Sequence, residues 1–514
     1  DNDFMDTPFN HTSYTAKANG TGCGTGRVCN TGTCNDGCYI GGAFYAAAAP
    51  NPSNSCQACT PTTTVTAFTT KPSGSQCTTG SCVGTTCVAA PTLTSVAPAC
   101  TGNAGGDTIT LNGDWFATGA TVTVAGQPAT SVTVVSQQKI TAKTPATPTV
   151  IGKVAVSVSN AYGSPATSAT LFGLFGPFAF KPAVVTNTSP NTPHAIATGD
   201  VDGDGKTDIV YELGGSVIIK RQGTSAATYG ASSTYSGCTS IGPIITADVN
   251  EDDLMDIVIG CDTSLHILKG VSGAAPTYLS TVAIGVTVAE LMPANFDGDA
   301  FVDLALAAFG ATDVLVFKGN GDATFTAGAV VGFIDPVGYL TTGDVSGDGK
   351  DDLVAGNYAT STLRIAVNSG SATFGTPVAK SIARLQTVAI AKIDADARGD
   401  IVVSSVDYDV SGSFYLSLGD GSLGPRVNLT VGGLSGAVAD DFNGDGITDV
   451  LVSGGTGFRV FPGNGDGTFT CVFEHLMTPN PYWFRPGDFD GNGKLDLVTN
   501  NPNYKSLIHV MNGN

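Results

Sequence analysis

Seven nine-residue segments hold the residues best placed to do chemistry. They read DVDGDGKTD from Asp200, DVNEDDLMD from Asp248, NFDGDAFVD from Asn295, DVSGDGKDD from Asp344, KIDADARGD from Lys392, DFNGDGITD from Asp441 and DFDGNGKLD from Asp488. On a tight loop the oxygens at positions 1, 3 and 5 turn inward, position 7 offers its backbone carbonyl, and the Asp at position 9 closes a cage. Glycines at positions 4 and 6 allow backbone conformations that other residues resist. Hard oxygen donors of this number and flexibility suit Ca²⁺ better than Mg²⁺, which demands a small octahedron.

The candidate ligands are Asp200, Asp202, Asp204, Lys206 and Asp208 in loop one, and Asp248, Asn250, Asp252, Leu254 and Asp256 in loop two. Loop three offers Asn295, Asp297, Asp299, Phe301 and Asp303, and loop four Asp344, Ser346, Asp348, Lys350 and Asp352. Loop six offers Asp441, Asn443, Asp445, Ile447 and Asp449, and loop seven Asp488, Asp490, Asn492, Lys494 and Asp496. Loop five keeps Asp394, Asp396 and Asp400 but starts with Lys392, whose ammonium cannot coordinate a cation. That loop is expected to stay empty, with Lys392 as an internal counter-ion, while the other six bind calcium. The motif shares the DxDxDG start of an EF-hand, but it lacks the Glu at position 12 and joins strands instead of helices.

One such loop could be a solvated acidic turn. Seven copies argue against that, because 22 carboxylates at positions 1, 3, 5 and 9, about half of the chain's 43 acids, would repel one another without cations. Successive loops start 48, 47, 49, 48, 49 and 47 residues apart, the period of a propeller or solenoid. A short apolar strand precedes each loop, as at Ala195-Ile196-Ala197, and another follows it, as at Asp208-Ile209-Val210. A third strand (Val314-Leu315-Val316-Phe317) and a glycine turn (Gly319-Asn320-Gly321) lead to a weaker fourth. Four strands per repeat make one propeller blade, so seven blades are expected over residues 177–514. The last repeat stops short of its fourth strand, and residues near 180–187 are expected to supply it.

These residues resemble the FG-GAP/VCBS repeat family, which includes the calcium-binding propeller of integrin α chains and secreted propellers, some of them lectins. The resemblance covers Phe178–Asn514 and implies calcium at positions 1, 3, 5, 7 and 9 of each loop. Lys392, Ala300, Asp253 and Ser346 depart from the pattern.

The segment before the repeats is of two kinds. Residues 1–22 form an arm without a core, and residues 23–90 hold nine cysteines among Gly, Thr, Ser, Asn and Pro. With few large apolar residues, cross-links must replace burial there, and a disulfide module is expected rather than a zinc or redox site at Cys56-Gln-Ala-Cys59. Cys100 is expected to join these nine, Cys238 to bond Cys261, and Cys471 to be left over among the 13 cysteines. From 91 to 176 short alternating strands read as a small antiparallel Ig-like sandwich. This stretch resembles the TIG (IPT) family through Pro98, Gly105-Gly106, Ile109-Thr110-Leu111-Asn112-Gly113, Phe116, Gly119, Gly126, Ala129, Ile140-Thr141-Ala142, Thr144-Pro145 and Asn160. That family implies a spacer or binding module.

The expected fold class is therefore all-β: a seven-bladed β-propeller, an Ig-like β-sandwich and a small disulfide-rich N-terminal module. A formal charge of −20 disfavours nucleic acid and anionic membranes as partners, and no apolar run is long enough to span a bilayer. The cysteines, and a start at Asp1, fit a processed, exported protein of the cell exterior. Sequons at Asn10, Asn19, Asn187 and Asn428 would matter only in a glycosylating host. His11, His194, His266, His475 and His509 form no metal or triad spacing, there is no GxSxG or P-loop, and no enzyme is expected. Tyr482-Trp483-Phe484 could stack a sugar or pack between blades. Two functions fit: a secreted, calcium-stabilised binding or adhesion protein for a glycan or protein ligand, or a structural subunit of an extracellular filament or surface layer, its partner being copies of itself.

Overall fold

The structure is a computed structural model that describes residues 17–514, apart from 148–151, 161–165, 168–171, 176–178, 181–183, 189–190, 192, 194, 223–231, 408–409, 430–435, 455–456, 470, 478–482, 502–505, 511 and 514. Among the described residues every regular element is a strand. The chain divides into two compact units, Asp1–Leu174 and Phe175–Asn514.

The first unit opens with an antiparallel sheet of Gly22–Gly24, Arg27–Asn30, Thr33–Ile40 and Ala43–Ala46. Four disulfides staple the module: Cys23–Cys34 lies within this sheet, Cys38–Cys59 ties it to the strand that follows, and Cys56–Cys82 and Cys77–Cys87 join the later hairpins. Sulfur takes the place of a hydrophobic core, since Cys38, Cys56 and Cys82 are fully buried with Val28. Cys56 and Cys59 bond different partners, which disposes of a metal or redox pair there. Gly20 and Thr21, at the end of the expected arm, are bonded to Cys29 through the backbone. Two cysteine expectations fail. Cys471 is disulfide-bonded, and the reduced cysteine is the buried Cys29. Cys100 is oxidised but does not complete the set of nine, eight of which pair among themselves.

The sandwich follows. Thr92–Ala97, Thr108–Asp114, Lys139–Lys143 and Thr130–Ser136 make one sheet, and Gln127–Pro128, Thr121–Val124, Val156–Ser159 and Ala166–Thr167 a second. Alternation sends Ile109, Leu111 and Ile140 from one sheet, and Val122, Val124, Val156 and Val158 from the other, into one core. Asn160 pins the turn before it, accepting from Ala117 N–H at 3.0 Å and donating to the Trp115 carbonyl at 2.8 Å.

In the second unit the described strands form seven four-stranded antiparallel sheets and one two-stranded pair. In the first sheet the strands are Ile196–Gly199, Asp208–Leu213, Ser216–Lys220 and Ser233–Tyr235, and the acidic loop joins the first strand to the second. The second strand of a repeat is apolar on both faces, as in Asp256–Cys261, because other strands cover it on each side. The first strand of each sheet lies beside the first strand of the next, and that of the seventh, Trp483–Gly487, lies beside Ile196–Gly199. Threonine hydroxyls lock this ring: Thr246 Oγ1 donates to Thr198 O at 2.7 Å, Thr198 Oγ1 to Pro486 O at 3.1 Å and Thr342 Oγ1 to Pro293 O at 2.8 Å. Val184–Asn187 pairs antiparallel with Ser506–Val510 as the outer strand of the seventh sheet, as the missing fourth strand requires.

Candidate metal centres

Each acidic loop hangs on its position-9 aspartate. Asp208, Asp256, Asp303, Asp352, Asp400, Asp449 and Asp496 are all fully buried. In every loop one carboxylate oxygen of this residue accepts the position-2 N–H at 2.8–3.1 Å. In the first six repeats the other oxygen accepts the N–H of a residue at or just beyond the end of the third strand, from Gln222 to Gly463, at 2.7–2.9 Å. These aspartates thus tie loop to sheet whether or not a cation is bound, a role beyond the cage-closing one the spacing implies.

Position 1 organises the turn. Asp200 accepts from Gly203, Asp204 and Gly205 at 2.7, 3.2 and 2.8 Å, and Asp344, Asp441 and Asp488 repeat the pattern. The turn needs left-handed backbone at positions 4 and 6: φ is +68° at Gly203 and +80° at Gly205. In loop two Glu251 and Asp253 take this conformation without glycine, at +57° and +64°, and Asp248 still accepts from Asp252 and Asp253. Position 5 is aimed by position 7, whose N–H it accepts in every loop: Lys206 to Asp204, Leu254 to Asp252, Phe301 to Asp299, Lys350 to Asp348, Ile447 to Asp445 and Lys494 to Asn492, with Arg398 to Asp396 in loop five. At position 3, Asn250 and Asn443 donate to their position-9 carboxylates, and Ser346 Oγ to Asp344. In loop three Asn295 accepts from Gly298 and donates to the Asp299 carbonyl.

Two loops bring three carboxylates together. Oxygens of Asp200, Asp202 and Asp208, and of Asp488, Asp490 and Asp496, lie within 4.8 Å of one another. A cation with oxygens at about 2.4 Å on opposite sides spans roughly that separation. Asp202 Oδ1 is buried and accepts no hydrogen bond, a pairing deficit that a cation would fill. Loop one therefore fits calcium, and loop seven matches it in donor set.

Loop five differs from the others in its backbone and in the residue that supplies its cation. Ala395 and Ala397 do not take left-handed backbone, and Lys392 is exposed. The ion pair in this loop is made by Arg398 with Asp396.

Burial raises the carboxyl of Asp449 to about 8, of Asp208 to about 7 and of Asp352 to about 6, with neighbouring loop carboxylates adding to the effect and backbone N–H groups opposing it. At Asp297 burial also works upward, but the Lys318 ammonium and loop N–H groups bring it below the ordinary carboxylate range.

Those ammonium partners were not legible from the loops alone. Arg221 Nη1 sits 3.2 Å from Asp202, Lys269 Nζ 2.6 Å from Asp252 and Lys318 Nζ 3.1 Å from Asp297. Of the aromatic run, Phe484 is buried against Phe458 with ring centroids 5.8 Å apart, while Tyr482 and the Trp483 side chain lie outside the described residues.

A model of the FG-GAP-like repeat matches residues 441–499, and a model of the IPT/TIG domain matches residues 91–172. No curated protein matches the chain. Similar solved structures include an Agrocybe aegerita lectin that recognises non-reducing terminal N-acetylglucosamine, 19% identical with a TM-score of 0.44, covering 63% of this chain and 87% of that one. BBS1N, solved in complex with ARL6DN, is 11% identical with a TM-score of 0.49, covering 65% and 97%. An auxiliary nutrient binding protein from Bacteroides ovatus is 10% identical with a TM-score of 0.37, covering 82% and 98%. With every score under 0.5, none of these likenesses bears on what this chain binds. The two domain matches and the disulfides fit an extracellular binding or adhesion protein.

Proposed function

We propose that this chain is a secreted, calcium-stabilised binding or adhesion protein whose repeats close into one seven-bladed propeller that presents a glycan or protein ligand face. The four-part division into 1–22, 23–90, 91–176 and 177–514 belongs to this reading. Calcium is held by positions 1, 3, 5, 7 and 9 of loops one to four, six and seven, and loop five holds none. The ion is a structural cofactor: it neutralises carboxylates that the fold gathers at each loop, and no catalytic role is assigned to any residue.

The observation that carries the metal reading is the buried Asp202 Oδ1, which accepts no hydrogen bond, set among oxygens of Asp200 and Asp208. Calorimetric titration of chelator-treated protein with CaCl₂ tests it, and about six equivalents are expected. No heat beyond dilution would end the calcium assignment. A glycan array probed with and without calcium tests the ligand class, with calcium-dependent hits expected for a glycan and none for a protein ligand.

A further inference from the structure

The cations that reach the loops come from two sources. Lys206, Lys350 and Arg398 belong to the loops themselves, at position 7, and pair with position 5 of their own turn. Arg221, Lys269 and Lys318 come instead from the end of the third strand. Each directly precedes the residue whose N–H binds the position-9 aspartate: Gln222, Gly270 and Gly319. That bond fixes the strand end over the loop, and alternation along the chain turns the preceding side chain onto the cage carboxylates. The pairs differ in solvent screening too. The carboxylates of Asp202 and Asp297 are 7% and 16% exposed, against 38% for Asp348.

We propose that Arg221, Lys269 and Lys318 are built-in counter-ions that compete with calcium, so that loops one to three bind it weakly and loops four and six bind it first. At the corresponding place the fourth, fifth and sixth repeats have Val367, Leu416 and Pro462, which carry no charge. Among the described residues no ion pair reaches Asp441, Asp445 or Asp449, whereas Asp202, Asp252 and Asp297 each have a cation within 3.2 Å. Loop six therefore has the strongest need for an external cation. In loops one to three calcium must first displace an ammonium or guanidinium that stays tethered beside the site, and the repulsion persists after displacement. One chain thus carries an early and a late class of calcium site, separated by the residue just before the N–H that binds the position-9 aspartate.

The inference rests on the calcium reading above, and a count of bound calcium separates the two. Full-length protein is titrated with CaCl₂ under native mass spectrometry, with the triple variant R221M/K269M/K318M beside it. At free calcium that fills only the early class of the wild type, the triple variant is expected to carry about three more ions, its late-class midpoint falling about tenfold. Calcium binding by the wild type with an unchanged triple variant would overturn the inference and leave the calcium reading standing. No calcium on either protein would overturn both. Should the triple variant fail to fold by circular dichroism, Lys318→Met alone should gain one early ion. The converse variant, Val367→Lys, should lose one, and unchanged occupancy in both would overturn the proposal.

Discussion

The module of residues 22–89 and the repeats from 196 onward hold their loops in place by different devices. The module closes four covalent bonds over few buried residues. Each of the first six repeats instead buries a carboxylate and spends both of its oxygens on backbone N–H groups, as Asp449 does with Phe442 and Gly463. A staple restrains the unfolded chain wherever it is placed, whereas a buried carboxylate works only if the sheet around it is already formed. The first device suits an isolated hairpin and the second a repeating array.

Reduction should expose this difference most strongly. With dithiothreitol the module should lose amide-exchange protection throughout, since each lost bond costs about 2–5 kcal/mol in a small domain, while the repeat strands stay protected. Equal loss in both regions, read by hydrogen exchange, would show that the repeats depend on their cystines as well. Next in size, Asp449→Ala leaves the Gly463 N–H unpaired and takes from the Phe442 N–H one of its two acceptors, and it should cost about 3 kcal/mol in urea unfolding of calcium-free protein. Asp445→Ala, in the same loop but outside the hub, should cost under about 1 kcal/mol. If the two variants were equally destabilised, the hub would have no special weight.

A smaller, pH-dependent effect concerns Glu290 on the first strand of the third sheet, which burial raises to about 7, with the Arg485 charge opposing. The folded value lies above the unfolded one, so this stability term is fully present below about 4.5 and is lost as pH rises through about 7. Glu290→Gln should therefore match the wild type at pH 4 and exceed it at pH 8, by on the order of 1–2 kcal/mol. A constant offset at both pH values would remove the titration from the explanation. Smallest of all, Thr246→Val removes one hydroxyl of the ring and should cost about 1 kcal/mol, measurable as a lower urea midpoint.

Much of this architecture could be read from residue order because its signals are local. Asp and Gly at fixed offsets mark the loops, apolar runs such as Asp256–Cys261 mark covered strands, and Cys238 and Cys261 flank one loop closely enough to pair. What escaped depended on register. Arg221 meets Asp202 only because the third strand ends where Gln222 bonds Asp208, and no spacing rule announces that. The reduced cysteine was misplaced for a related reason, since even spacing leaves many pairings open and only the fold leaves Cys29 without a partner sulfur. Lys392 was assigned a counter-ion role by its position alone, but its side chain is exposed and Arg398 takes that part.

The pairing of Val184–Asn187 with Ser506–His509 has a consequence for how the protein is made. A ribosome delivers the first half of that pair more than 300 residues before its partner, a delay of roughly 15–65 s at about 5–20 residues per second. During that interval the early repeats can stack only as an open arc whose leading strand has an unsatisfied edge. Synthesis thus passes through a stage in which the strand at 184–187 is a sticky edge awaiting its clasp, and a neighbouring nascent chain offering the same 506–509 segment would fit it equally well.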